Sequence, residues 1–232
     1  MLTKKLKTMN KNLTEIIFVL DESGSMGSVR SDVIGGFNTF LKDQKEIPGE
    51  AVMTLVKFDT DYTKLEEGTL LEKVKELDNE LYTPGGLTAL LDAVGKTINE
   101  VTSRHATLEE DEVPGKTILV VFTDGEENSS QEFKKKADIG KMVKEREDAG
   151  WEVLFMGADI DAWGEGSSMG FSKSRGVAKG DMLGNMAKMS YYTANYRNNV
   201  DFGAVMNMTE VNETFDMTTE EAKEKLEKLK KK

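Results

Sequence analysis

The chain has 232 residues, of which 38% are hydrophobic and 31% are charged, and its formal net charge is −11. This length suits one α/β domain with a single core, and the negative charge disfavours nonspecific binding to nucleic acid or to an anionic membrane. The sequence contains no cysteine, which excludes disulfides and thiolate metal sites, and its single histidine, His105, cannot build a zinc site.

The N-terminal residues 1–14 are polar and basic, and we predict that they form a flexible arm. The first apolar run, residues 16–20, is too short for the hydrophobic region of a secretory signal. No segment of the sequence reaches the length of a membrane span. We therefore expect a cytoplasmic protein that binds neither membranes nor nucleic acid.

Short apolar runs alternate with segments of helical periodicity along most of the chain. The predicted strands are residues 16–20, 51–58, 63–71 (an edge strand), 116–122, 151–156 and 174–178. The predicted helices are residues 31–46, 87–104, 131–149, 161–169, 181–197 and 218–232. This alternation predicts a Rossmann-like, doubly wound α/β fold, in which helices cover both faces of a mostly parallel central sheet. We place the domain at residues 15–200 and a C-terminal extension with a charged helix at residues 201–232.

Three polar segments lie where predicted core elements end or begin. Asp21, Ser23 and Ser25 alternate directly after the first strand, so they can face one ion. Thr88 closes a Gly-Gly-Leu-Thr turn, and Asp124 follows the strand at residues 116–122 within a Thr-Asp-Gly turn. Because ligands of such sheets bind outside the carboxyl ends of the strands, we expect the three segments to converge on one metal site.

The predicted ligands are all oxygen atoms, from two carboxylates and three hydroxyls. This set suits Mg²⁺, with Mn²⁺ and Ca²⁺ as alternatives, better than a softer metal. Two carboxylates leave a divalent cation electrophilic and with an open coordination position. The Asp or Glu carboxylate of a partner protein is the natural ligand for that position.

In this order, the Asp-x-Ser-x-Ser run, the Gly-Gly-x-Thr turn and the Thr-Asp-Gly turn resemble the metal-ion-dependent adhesion site (MIDAS) of the von Willebrand factor type A (VWA) domain, especially in its intracellular bacterial and phage members. The resemblance covers residues 15–158 well and implies the VWA fold. It also implies that Ser23 and Ser25 bind the ion directly and that Asp21 acts mainly through water. Thr88 and Asp124 would exchange direct and water-mediated contacts when a ligand arrives.

One residue departs from the pattern of this family. Leu87 lies between the second glycine of the turn and Thr88, and this insertion leaves Thr83 as a substitute ligand. The paired carboxylates of Asp59 and Asp61 could bind a second cation, although a solvated turn is the favoured interpretation.

The resemblance implies a protein-binding module without enzymatic activity. The alternative is a magnesium-dependent hydrolase or phosphotransferase, in which Asp21 or Ser25 attacks and Asp124 holds the ion. A nucleophile needs a positioned base, and the only histidine lies between a helix end and an acidic loop. Glu126 or Lys116 would therefore have to serve as the base.

Two further patterns have structural interpretations. Glu126 and Glu127 could act as a general base beside the metal, but we favour a surface loop. Met182, Met186 and Met189 recur at helical spacing, which predicts an apolar helix face packed on the sheet.

Overall fold

A computed structural model describes residues 9–158, 162–201 and 204–231 of the chain. Most of the predicted N-terminal arm, residues 1–8, lies outside the described residues. The strands are Asn10–Asp21 (β1), Glu50–Phe58 (β2), Tyr62–Leu70 (β3), Pro114–Thr123 (β4), Glu152–Ala158 (β5) and Ser174–Val177 (β6). The helices are Arg30–Glu46 (α1), Leu90–Thr107 (α2), Lys136–Asp148 (α3), Ala162–Ser168 (α4), Met182–Asn199 (α5), Met208–Asp216 (α6) and Thr219–Leu229 (α7).

The strands form one sheet in the order β3-β2-β1-β4-β5-β6. Neighbouring strands are parallel except β2 and β3, which are antiparallel. Alternate residues of β1 enter two different cores: Phe18 packs with residues of α1, α5 and α6, and Val19 packs with residues of α2 and α3. These observations confirm the predicted doubly wound fold with helices on both faces.

The first strand begins earlier than predicted. β1 starts at Asn10, whose N–H donates to the Val113 carbonyl at 2.8 Å. Leu13 is buried and pairs with Glu50 of β2. Residues that look like part of a polar arm are therefore held in the sheet by backbone pairing, which does not depend on apolar side chains.

Two helices differ most from the sequence prediction. α3 begins at Lys136 rather than at residue 131, because the backbone N–H groups of residues 131–133 are bound by the Asp92 carboxylate. α6 lies in a region without a predicted element. Its start is fixed by a capping box between Asn207 and Glu210.

The C-terminal helices pack on the face of the sheet that α1 also covers. Met182, Met186 and Met189 are buried there, as predicted, together with residues of α6. The buried Glu152 carboxylate accepts a hydrogen bond from the backbone N–H of Met206 at 2.8 Å. Leu226 of α7 packs with Ile47, which follows α1, and with Ala194 of α5. The described part of the predicted extension is therefore packed on the domain.

One edge of the sheet is formed by the antiparallel strand β3, as predicted for residues 63–71. Its pairing with β2 shifts register twice, between Met53 and Leu55 and between Leu55 and Val56. Lys64 forms ion pairs with Glu67 and Glu100 along this edge. None of the helices in the described ranges combines the length and the apolar character that crossing a bilayer requires.

Candidate metal centre

The first and third polar segments meet at the carboxyl edge of the sheet, between β1 and β4. These strands are parallel neighbours, with Leu20 opposite Phe122, so Asp21 and Thr123 leave the sheet side by side. The strand order also changes direction here, since β2 and β3 lie on one side of β1 and β5 and β6 lie beyond β4. Such a point leaves a crevice in which ligands of α/β sheets bind.

Asp21 places a buried carboxylate at the bottom of this crevice. Its Oδ1 accepts the Ser23 N–H at 2.7 Å, and its Oδ2 accepts the Thr123 hydroxyl at 2.5 Å. Burial raises the pKa of Asp21 to about 6, against the opposing effect of these hydrogen bonds, and the nearby Asp124 charge raises it further. The Tyr82 hydroxyl also donates to the Asp21 backbone carbonyl at 2.7 Å. The carboxylate is thus fixed in position and costly to leave charged without a cation.

The other predicted ligands surround this carboxylate. Ser25 Oγ donates to Asp124 Oδ1 at 2.5 Å, and Ser23 Oγ lies 3.0 Å from Ser25 Oγ. Thr88 is buried, and its position is shown by Gly125: a Cβ added there would lie 2.9 Å from Thr88 Oγ1 and 3.7 Å from Asp21 Oδ2. The structure therefore brings all five predicted side chains together.

The chemistry of this set fits a hard divalent cation. The donors are two carboxylates and three hydroxyls, and a glycine without a side chain leaves space between Thr88 and Asp21. Within the described ranges, no group of three or more Asp, Glu, His or Cys side chains is placed to hold a metal. A metal at this edge would therefore depend on the hydroxyl groups as well as on Asp21 and Asp124.

The turn that carries Thr88 is held by the first segment. Glu22 accepts the Thr83 backbone N–H through Oε1 and pairs with Lys57 through Oε2 at 2.9 Å. The Gly85 N–H donates to the Glu22 carbonyl at 2.8 Å. The Thr83 hydroxyl also faces Glu22, at 3.4 Å. Thr83, the substitute ligand considered from the sequence, is therefore directed to the carboxylate of Glu22.

The inserted leucine follows a glycine in the left-handed region of backbone conformation. Gly86 has a φ of +65°, and a Cβ there would lie 2.7 Å from Asp59 Oδ2. The Leu87 N–H donates to Thr60 Oγ1 at 2.9 Å, and its side chain is 56% exposed. Asp59 Oδ1 accepts the Asp61 N–H at 2.7 Å, as expected for a solvated turn.

Sequence reasoning missed residues that support the site. Glu127 is half-buried in the loop after Asp124, and its carboxylate accepts backbone N–H groups from the start of α2 and from its own loop. Asn128 Oδ1 accepts the Thr88 N–H at 2.8 Å. The Asp92 carboxylate binds the same loop. Short polar side chains near the Thr-Asp-Gly turn were the only sequence signal for these contacts.

Residues 15–198 match the family model of the von Willebrand factor type A domain. The chain belongs to this family. The vWF domain of the type V pili tip protein Mfa5 from Porphyromonas gingivalis has a similar structure, with a TM-score of 0.58 and 10% identity over 81% of this chain and 97% of that one. A search of curated proteins found no match.

Two further solved structures resemble this VWA domain. The ArnB paralog VWA2 from Sulfolobus acidocaldarius has a TM-score of 0.53 and 14% identity over 78% of this chain and 44% of that one. Proximal thread matrix protein 1 from the mussel byssus, with a zinc-occupied MIDAS motif, has a TM-score of 0.53 and 18% identity over 81% of this chain and 47% of that one. The chain thus spans less than half of these two proteins, and the likenesses show the fold alone.

Proposed function

We propose that this VWA domain is a protein-binding module that depends on a divalent metal. Asp21, Ser23, Ser25, Thr88 and Asp124 would hold Mg²⁺ in a MIDAS, and the ion would capture an Asp or Glu carboxylate of a partner. The observation that carries the proposal is the 2.5 Å contact of Ser25 Oγ with Asp124 Oδ1, beside the buried Asp21 carboxylate. It joins ligands that are distant in sequence but adjacent at the sheet edge.

The side chains of the site are held in position by the protein before any ion binds. A bound cation would supply electrostatic attraction for an anionic oxygen. The hydrogen bonds from Ser23 and Thr123 hold Asp21 in one orientation. Two carboxylates balance the charge of a divalent ion without making the site negative, so a further carboxylate can replace water at an open coordination position. Mn²⁺ and Ca²⁺ have suitable chemistry, and the zinc-occupied MIDAS of the mussel protein makes Zn²⁺ a fourth metal to test.

The geometry favours binding over the hydrolase or phosphotransferase alternative. His105 pairs with the buried Glu15, which lies midway along β1 and about 20 Å along the strand from Asp21. Lys116 donates to the Arg197 carbonyl at 2.6 Å and lies near the start of its strand. His105 and Lys116 are therefore both engaged away from the candidate metal centre, which leaves Glu126 and Glu127 as the nearby bases named from the sequence.

Thermal unfolding tests the metal centre directly. Wild-type protein and Asp124→Ala would be compared in chelator and in Mg²⁺, Mn²⁺, Ca²⁺ or Zn²⁺. A site of millimolar affinity adds about 1.4 kcal/mol at tenfold metal excess, which raises the Tm of a domain of this size by about 3–6 °C. The control is Asp148→Ala, because that side chain is 65% exposed at the end of α3 and its removal should preserve the metal shift.

Partner capture tests the second part of the proposal. We expect the wild-type chain to retain a partner protein in Mg²⁺ and to release it in chelator, and Asp124→Ala to retain none in either condition. Equal capture in Mg²⁺ and in chelator would show that binding does not use the ion.

The cytoplasmic location and the bacterial or phage origin stay predictions.

A further inference from the structure

Asn128 forms a bridge of two hydrogen bonds to Thr88. Its Oδ1 accepts the Thr88 N–H at 2.8 Å, and its own backbone N–H donates to the Thr88 carbonyl at 3.0 Å. Both backbone polar groups of Thr88 are thus bound by a single residue of the loop that follows Asp124. The bridge fixes the separation of these two loops at the position of a proposed ligand.

The same loop caps the helix that follows Thr88. α2 begins at Leu90, and its N-cap residue Ala89 has no side chain that can accept a hydrogen bond. Glu127 Oε2 accepts the Leu91 N–H at 2.8 Å, and Ser130 Oγ accepts the Asp92 N–H at 3.0 Å. The first turn of α2 therefore depends on acceptors from the Asp124 loop.

α2 in turn binds the far end of the same loop through the side chain of Asp92. The Asp92 carboxylate accepts backbone N–H groups from Gln131 at 2.9 Å, Glu132 at 3.0 Å and Phe133 at 2.7 Å. The Phe133 ring packs so closely on α2 that a Cβ at Gly95 would lie 2.6 Å from it. Hydrogen bonds in both directions thus hold the start of α2 and residues 127–133 as one unit.

We infer that Glu127 and Asn128 are positioning residues for the metal centre, an inference that rests on the proposed function. Neither needs to contact the ion. Asn128 binds the backbone of Thr88, and Glu127 binds the start of α2 and the N–H groups of Ser129 and Ser130 at 2.9 and 2.7 Å. Together they hold the backbone of Thr88 and the start of α2 against the loop that follows Asp124, so that both proposed ligands stay at the same edge of the sheet. Loss of such supporting contacts typically weakens metal binding 10–100-fold.

Titration of the full chain with Mn²⁺ alone, followed by calorimetry well below the unfolding temperature, tests this inference. Asn128→Ala removes the acceptor of the Thr88 N–H. Glu127→Gln replaces one acceptor oxygen by an NH₂ group that cannot accept. We expect each variant to bind Mn²⁺ about tenfold or more weakly than wild type. Asn128→Asp keeps an oxygen for the Thr88 N–H and is expected to restore binding.

The matched control is Glu126→Gln. Glu126 is exposed and directly precedes Glu127, so this variant removes the same charge at the neighbouring position. We expect this variant to bind Mn²⁺ within about twofold of wild type, because interactions between solvent-exposed charges contribute little free energy. If Glu126→Gln and Glu127→Gln weaken Mn²⁺ binding equally, the loss of negative charge alone explains the effect. That result would overturn the positioning role of Glu127. Thermal unfolding in chelator establishes that each variant is folded at the titration temperature.

The remaining outcomes separate this inference from the proposed function. If wild type binds Mn²⁺ and both Asn128→Ala and Glu127→Gln bind it equally well, the positioning role is wrong and the metal centre stands. If wild type binds no Mn²⁺ at millimolar concentration, the proposed function fails and this inference fails with it.

Discussion

Gly125→Ala should disable the metal centre while leaving the fold intact. The added Cβ would lie 2.9 Å from Thr88 Oγ1, whereas ordinary contacts begin at 3.4 Å, so the hydroxyl must move by about 0.5 Å or rotate away. Binding sites require their ligand atoms to lie within about 0.5 Å of the productive geometry, so a displacement of this size is enough to impair metal binding. Loss of one ligand should weaken Mg²⁺ or Mn²⁺ binding at least tenfold, which corresponds to about 1.4 kcal/mol.

The variant should remain folded in chelator. Gly125 has no positive φ, so alanine is compatible with its backbone. Alanine lowers the entropy of the unfolded chain, which stabilises by about 0.4–1 kcal/mol, against about 1–3 kcal/mol for the overlap with Thr88. The net loss of unfolding free energy is therefore about 0–2.5 kcal/mol, measurable by denaturation in chelator.

Gly24→Ala is the matched control, because it lies in the first segment of the same site. Its added Cβ would lie 3.5 Å from the Gly86 carbonyl, which is an ordinary contact. We expect calorimetric titration with Mn²⁺ to show near wild-type affinity for this variant. Wild-type affinity in Gly125→Ala would refute the reasoning, since it would mean that the Thr88 hydroxyl does not contribute to the metal centre.

Three further predictions concern stability. Tyr82→Phe removes the buried hydrogen bond to the Asp21 carbonyl and should cost about 1–2 kcal/mol, a fall in Tm of about 2–8 °C by scanning calorimetry; an unchanged Tm would contradict it. Burial acts to raise the pKa of Glu15, but His105 and Arg104 hold it below its ordinary value, so this group stabilises at neutral pH and loses its contribution below about pH 4. Glu15→Gln should therefore flatten the acid limb of a plot of unfolding free energy against pH, and an identical limb would refute this. Deletion of α6 and α7 should expose core residues and lower the denaturation midpoint, whereas a chain that unfolds as wild type does would show that these helices are dispensable.

The parts of the fold that could be predicted are those whose signal is local. Apolar runs such as residues 16–20 and 116–122 mark central strands, and the polar residues after them identify the site because parallel strands end at one edge. Asp21, Ser25 and Asp124 are therefore found together in the structure. Their joint assignment as metal ligands stays a prediction.

The parts that could not be predicted depend on contacts between distant segments. The start of α3 at Lys136 is set by Asp92, which lies on another helix. Asn128 looks like an ordinary loop residue until the fold brings it to Thr88. The early start of β1 has the same origin, because backbone pairing with β2 and β4 extends the strand beyond its apolar run.

The charged edge strand β3 also bears on how the protein behaves in solution. An uncovered strand presents free backbone donors and acceptors, and such a row can template pairing with the strand of another molecule. The two register shifts and the ion pairs of Lys64 with Glu67 and Glu100 oppose this pairing. These features disfavour extension of the sheet from its β3 edge into a neighbouring molecule.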